Sequence, residues 1–435
     1  MSRNGNLRLA ASNLWMLSML ALQAFALTIN GVAAPWIMRS FDLNQASLAR
    51  LFAVISVSAI GALILTRLFD VIGRRRVMRW CAVATSLGAF GAALSPNLIA
   101  FTVCELMLNA SASAAIAAGV VVIAEKLVPA ERAAGQGLAG IAVRIGSGVS
   151  VALMPLLAYG GYSWRWLLVL AATANIGLHL AVFDRVHDEI AGVQPAAANR
   201  DRAGNSISDL MRPRYRRLAI TFVCSALLSS IAITSSKSWI YFHAVSTVGI
   251  APAAASVMLL IAGALALTGY PLGAASSERF GRVPTVAGFA MLLALGAVWT
   301  FWGPPANFRY PILWLGLGVG AFGVATNATS VGANSSATEL IPSGLRTTMI
   351  GCTVFAGAIG QVAGQSVVAV LAPGFGGVSN VVGYLGLLAI GVSILYSFLI
   401  DESRGLALEE IGADPEPELE TSLSAPSPRV RTAPP

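Results

Sequence analysis

Three charged residues, Glu105, Arg144 and Lys237, each lie well inside a run of hydrophobic residues long enough to cross a bilayer. A charge in such a place costs about 2.5–3.5 kcal/mol on insertion scales and survives mostly where it faces a protein interior or water. The three side chains offer different chemistry. A carboxyl kept from water can hold a proton, and of the 20 acidic residues Glu105 alone is deep in a span, so it is the candidate for proton coupling. An arginine cannot give up its proton. Arg144 therefore calls for an anion or a cavity rich in carbonyls, and a carboxylate on a bound solute would serve. Lys237 sits toward the outer end of its run, where its stem can snorkel to water. Measured along the helix axes from one membrane face, Glu105 and Arg144 differ in depth by roughly 10–15 Å, which argues against a direct pair.

Uncharged polar residues extend the pattern. Glu105, Asn109 and Ser113 recur every four residues and so share one helix face. Gln23 and Asn30 lie seven apart in the first run; Asn327, Ser330 and Asn334 line another, and Gln361 and Gln365 a third. Trp239, beside Lys237, reads as an aromatic wall. Such stripes either outline a solute site or join helices by hydrogen bonds. Gly357, Gly360 and Gly364 are suited to close helix approach.

These side chains must be positioned by membrane helices. Of 435 residues, 56% are hydrophobic and 11% charged, whereas a soluble domain carries roughly a quarter charged residues. Apolar runs of about twenty residues occur at 13–38, 47–69, 78–96, 98–124, 136–158, 166–183, 218–243, 252–273, 284–303, 310–335, 348–372 and 380–400. The expected architecture is an all-α membrane protein of twelve transmembrane helices with both termini on one side. Twenty-two of the 28 Lys and Arg fall in the N-terminal tail and in or beside every second connection, against four in or beside the opposite loops. By the positive-inside rule both termini are cytoplasmic. The net charge of +8 thus reports orientation and implies no nucleic-acid partner. The first run is too long for a cleavable signal and is followed by further spans.

The expected organisation is an N-tail at 1–12, a six-helix bundle at 13–183, a polar cytoplasmic loop at 184–217, a second bundle at 218–400 and a Pro-, Glu- and Ser-rich disordered tail at 401–435. The four cysteines and three histidines are scattered singly, so no metal site or disulfide framework is expected. No Gly-x-x-x-x-Gly-Lys-Ser/Thr sequence is present. ATP, cofactors and enzymatic bond-making are therefore not expected, and an ion gradient or plain diffusion is the default source of drive.

The two halves echo each other. "RLFDVIGRR" after the second run matches "SSERFGR" after the eighth, with Gly73 and Gly281 separated by 208 residues. "EKLVPAER" matches "ELIPSGLR", with Pro129 and Pro342 separated by 213. Duplicated halves are the arrangement that lets two bundles rock about a central site.

On these motifs the chain resembles the major facilitator superfamily, over roughly residues 13–411. Asp70, Gly73, Arg74 and Arg75 fill the later positions of the family's loop signature, while Thr66 and Val71 depart from it. "ELIPSGLR" and "DESRGLALEEI" resemble elements of sugar and metabolite:proton symporters. "NGVAAPWIMRSFDLNQASLARL" and "SWRW" are similar to aromatic-acid:proton symporters. Where that branch carries two acids in its first helix, this chain has Gln23 and Ala26, and where it carries an arginine in the fourth, this chain has Glu105.

The resemblance implies two pseudo-symmetric six-helix bundles with helices 1, 4, 7 and 10 around a central cavity. It also implies a cytoplasmic gate built from Asp70, Gly73, Arg74, Arg75, Glu125 and Arg132 in one half and Glu278, Arg279, Gly281, Arg282, Glu339 and Arg346 in the other. The expected function is proton-linked transport of a small organic solute, an organic anion or carboxylate, across an inner or plasma membrane, with the monomer as functional unit. Proton-antiport efflux of drug-like compounds is the alternative, disfavoured because "GIAVRIGSGVSVALMP" lacks a Gly-Pro pair. A transporter-like ligand sensor ranks lower, since the tail has no signalling domain.

Overall fold

The computed structural model describes residues 14–72, 74–126, 132–191, 207–303, 308–341 and 343–402. In lipid every backbone polar group must be satisfied within its own segment, and each apolar run accordingly forms helix. The first half comprises α1 (Leu14–Ser40), α2a (Gln45–Ser56) with α2b (Ser58–Ile72), α3 (Arg74–Leu94), α4 (Leu98–Lys126), α5 (Arg132–Tyr159) and α6 (Arg165–Ala191). The second comprises α7 (Pro213–Phe242), α8a (Pro252–Ala266) with α8b (Gly269–Phe280), α9 (Arg282–Phe301), α10 (Pro311–Leu340), α11 (Ser343–Leu371) and α12a (Val378–Gly386) with α12b (Leu388–Leu399). Prolines open α7, α8a and α10, where a missing N–H leaves no bond unmade.

Eleven helical spans are long and apolar enough to cross a membrane. The sixth expected span forms α6, whose described apolar stretch, Arg165–Leu178, is shorter. The molecule is an all-α multi-pass membrane protein.

The packing repeats with the sequence. In the first half α1 packs on α5, α3 on α4 and α6, and α2b on α4; in the second, α7 packs on α11, α9 on α10 and α12, and α8 on α10. Each pair has its counterpart six helices later. The breaks that divide α2 at Val57 and α8 at Leu267 fall 210 residues apart, close to the offset of the sequence motifs. Small residues set the closest approaches. A Cβ on Gly146 would lie 1.8 Å from the Ala21 carbonyl oxygen, and one on Gly360 2.6 Å from that of Leu227, so glycine is needed in both the α1–α5 and the α7–α11 contact, the first being the closer.

The halves meet along one end. α2a packs on α11 and α8a on α5, whereas α8b packs on α9 and α10 of its own half. Gln45 Oε1 accepts from the Val378 N–H at 3.5 Å, placing the starts of α2 and α12 on one face, the far face. α1 begins and α12 ends on the other, terminal face. Buried apolar residues follow the same division: one core runs through both halves toward the far face. Toward the terminal face the first half has its own core around Leu20, Val77 and Ile123, and the second a separate one around Phe222, Val286 and Tyr396. Among the described residues the halves are therefore joined at the far face and part toward the terminal face.

Candidate functional site

Glu105 is 0% exposed. It stands on α4 facing α1, and two amides reach its carboxyl: Asn30 Nδ2 lies 2.5 Å and Asn109 Nδ2 2.9 Å from Oε2. The Asn109 amide also donates to the Glu105 carbonyl at 2.9 Å, as the spacing of four on one helix face allows. Glu105 Oε1 and Asn30 Oδ1 are buried without a hydrogen-bond partner. No Lys or Arg pairs with this carboxyl among the described residues. The 2.5 Å separation is typical of O–H···O contacts and short for N–H···O.

Arg144, on α5, lies in the interface between the halves. Its Nη2 donates to Asn327 Oδ1 on α10 at 2.9 Å. Asn327 is 2% exposed, and its own amide donates to the Ala266 carbonyl at 2.7 Å, the last residue of α8a before the break. Arg144 is thus oriented by a neutral amide that leaves its charge intact. Lys237 of α7 is exposed, and Arg144 of the other half is near enough for its charge to act on it. Neither cation has a carboxylate at ion-pair distance among the described residues.

The other expected site residues divide. Gln23 is 0% exposed and donates to Asn175 of α6 at 3.2 Å, within the first half. Trp239 is also 0% exposed: its Nε1 donates to Gln365 Oε1 at 3.1 Å, and its ring lies 5.2 Å from that of Phe52 on α2a. With the Trp36–Tyr241 pair, centroids 6.2 Å apart, it forms an aromatic seam across the far-face junction. The aromatic wall expected of Trp239 is therefore part of the closure between halves. Ser330 is half-buried and bonds to the Asn327 carbonyl at 2.7 Å, Asn334 is exposed, and Gln361 is half-buried. Gly357 accepts from Ser230 Oγ at 2.6 Å, in the α7–α11 contact expected of the glycine run.

At the terminal end of the second half three sequence motifs converge. Arg282 holds Glu339 of α10 through Nε at 3.1 Å and Nη2 at 2.9 Å. Glu402, after α12, accepts from the Arg282 and Val283 N–H groups at 2.9 and 3.0 Å, satisfying the start of α9. Gly281, at φ 106°, makes the turn between α8b and α9, and a Cβ there would lie 2.4 Å from Glu402 Oε2. This ion pair lies inside the second half, joining α9 to α10. Glu278 and Arg279 are exposed, with Arg279 over the Phe280 ring at 5.3 Å. Gly73 and the side chains of Asp70, Arg74, Arg75, Glu125, Arg132 and Arg346 lie outside the described residues.

A family model described as Major Facilitator Superfamily matches residues 16–365. No curated protein matches the chain in sequence. Among solved structures, the xylose transporter XylE from E. coli in its inward-open conformation aligns with a TM-score of 0.66 at 14% identity, covering 92% of this chain and 98% of that one. A bacterial homolog of the human lysosomal transporter Spinster, inward-facing and occupied, gives 0.68 at 12% identity over 90% and 96%. The nucleoside transporter NupG gives 0.65 at 15% over 88% and 97%. At these identities the likeness is one of fold.

Proposed function

The chain belongs to the major facilitator superfamily of small-solute transporters, and from that premise we propose that it moves an organic anion by proton-linked alternating access. The observation that carries this reading is the pair Arg144 and Lys237, one from each half, with no carboxylate paired to either among the described residues. Lys237 is exposed and Arg144 half-buried, and neither has a fixed counter-charge among the described residues, so both are placed to attract an anion. An incoming carboxylate supplies that charge, and the Arg144 guanidinium offers it a planar fork of donors.

Glu105 is the proposed proton carrier. Its enclosure by Asn30 and Asn109, the lack of a paired cation and the 2.5 Å contact all suit a carboxyl that holds and releases one proton. Arg144 and Glu105 stay on separate partners, so anion and proton do not compete for one group. The excess of basic residues at the tail and alternate loops supports a cytoplasmic terminal face in an inner or plasma membrane. On that orientation the far-face junction is the closed outer side, and the described conformation is the inward-facing one.

The test is reconstitution in liposomes with an imposed pH gradient, screening carboxylates against cationic dyes. Proton-driven uptake of at least one carboxylate is expected. Expulsion of dye with uptake of no acid would establish efflux in its place.

A further inference from the structure

We propose that Asn327 is the positioning residue of the solute site: seated on a carbonyl that the break in α8 sets free, it fixes the Arg144 guanidinium of the opposite half for the incoming anion. This inference rests on the anion-transport reading. It starts from the break itself. Pro271 has no N–H to give the Leu267 carbonyl, and the Tyr270 N–H, which a continuous helix would direct to Ala266, goes to Leu267 at 3.3 Å. The carbonyl of the buried Ala266 accepts instead from Asn327 Nδ2 of α10 at 2.7 Å. Without that donor it would be an orphaned backbone acceptor inside the protein, which is costly. Glycine permits the approach. A Cβ on Gly269, just past the break, would lie 2.3 Å from the Val324 carbonyl oxygen and 3.0 Å from Asn327 Cβ.

The Asn327 amide can sit only one way. Turned over, it would set its NH₂ against the guanidinium N–H groups and its oxygen against the Ala266 oxygen. With Nδ2 committed to α8, Oδ1 faces α5 and accepts from Arg144 Nη2 at 2.9 Å. Both polar atoms of Asn327 are thus engaged by protein, and the side chain is 2% exposed. It therefore orients the cation and is not itself the solute contact. Being neutral, it leaves the charge of Arg144 uncancelled and the remaining N–H groups ready for a carboxylate edge. An arginine held this way has given up rotamer freedom before the anion arrives, so binding need not supply that ordering. α8a packs on both α5 and α10. One side chain accordingly holds the bend of α8 and the aim of Arg144 together.

The experiment is thermal stabilisation of the full chain in detergent by butyrate, benzoate, succinate and propyl phosphate at constant ionic strength. The quantity read is the half-saturating concentration of the most effective of the four. Asn327→Leu, near in volume but without either hydrogen bond, should raise it about three- to tenfold, the worth of one hydrogen bond. A merely structural amide would lower the unfolding midpoint without anion and leave the half-saturating concentration where it was. Asn327→Asp sets a fixed carboxylate against the guanidinium and should raise the concentration about 100-fold or more. Gly269→Ala, which alters no polar group, should shift it in the same direction as Asn327→Leu; an unchanged value would overturn the part assigned to α8. An unchanged or lower concentration in Asn327→Leu overturns the positioning role and leaves the anion reading standing. Stabilisation of the unaltered protein by none of the four, or an unchanged response in Asn327→Asp, overturns the anion reading at Arg144 and this inference with it.

Discussion

Glu105 is enclosed within the first half by asparagines of α1 and α4, whereas Arg144 of the first half reaches across to Asn327 of the second. A ligand held by one body travels with it and does not by itself bias how the two bodies sit. A ligand held by both acts on their relation, and can shift an equilibrium between conformations by as much as it prefers one of them. The contrast therefore separates a site suited to a carried proton from a site suited to the solute that drives rearrangement.

The largest expected effect comes from removing the shared charge. Arg144→Gln should lower uptake of the transported anion by about 10- to 100-fold, the loss of a charge-assisted contact of roughly 1.5–3 kcal/mol. Unchanged uptake in liposomes would make Arg144 a structural residue and dissolve the contrast. Next, Glu105→Gln should abolish accumulation driven by a pH gradient while counterflow exchange continues near its normal rate. Persistent accumulation would move coupling elsewhere.

A smaller effect tests whether the terminal end of the second half is scaffold. Gly281→Ala forces a side chain into left-handed backbone and onto the Glu402 carboxylate, a strain of about 1–3 kcal/mol. The apparent unfolding midpoint should fall by several degrees with solute preference unchanged; an altered preference would tie that end to the site. The smallest is expected for Asp70→Asn, which should slow transport and leave the ranking of solutes intact. A changed ranking in a competition assay would show that this loop contributes to binding.

Much of the architecture was legible because its signals are local or periodic. Runs of about twenty apolar residues specify the spans, and the duplicated motifs anticipated the paired packing of the halves. The Glu105–Asn109 contact follows from a spacing of four, and the convergence of Arg282, Glu339 and Glu402 joins three motifs visible in the chain. What escaped depends on how helices far apart in sequence are rotated against each other. Gln23 meets Asn175 across 152 residues, and Trp239 turns to Gln365 and Phe52 instead of a cavity. The break in α8 at Leu267 has a local cause, since Pro271 lacks the N–H that would bond the Leu267 carbonyl and Gly269 lies between them, whereas the break in α2 at Val57 has no glycine or proline beside it.

The aromatic seam of Phe52 with Trp239 and Trp36 with Tyr241 gives affinity a direction. A solute reaching the protein from the terminal face meets the receptive arrangement as it stands. One coming from the far face must wait for these rings to separate, and its apparent affinity is weakened by the fraction of molecules in which they have done so. The same cations would then yield two dissociation constants, one for each side of the membrane, and substitutions that loosen the seam should bring the two values together.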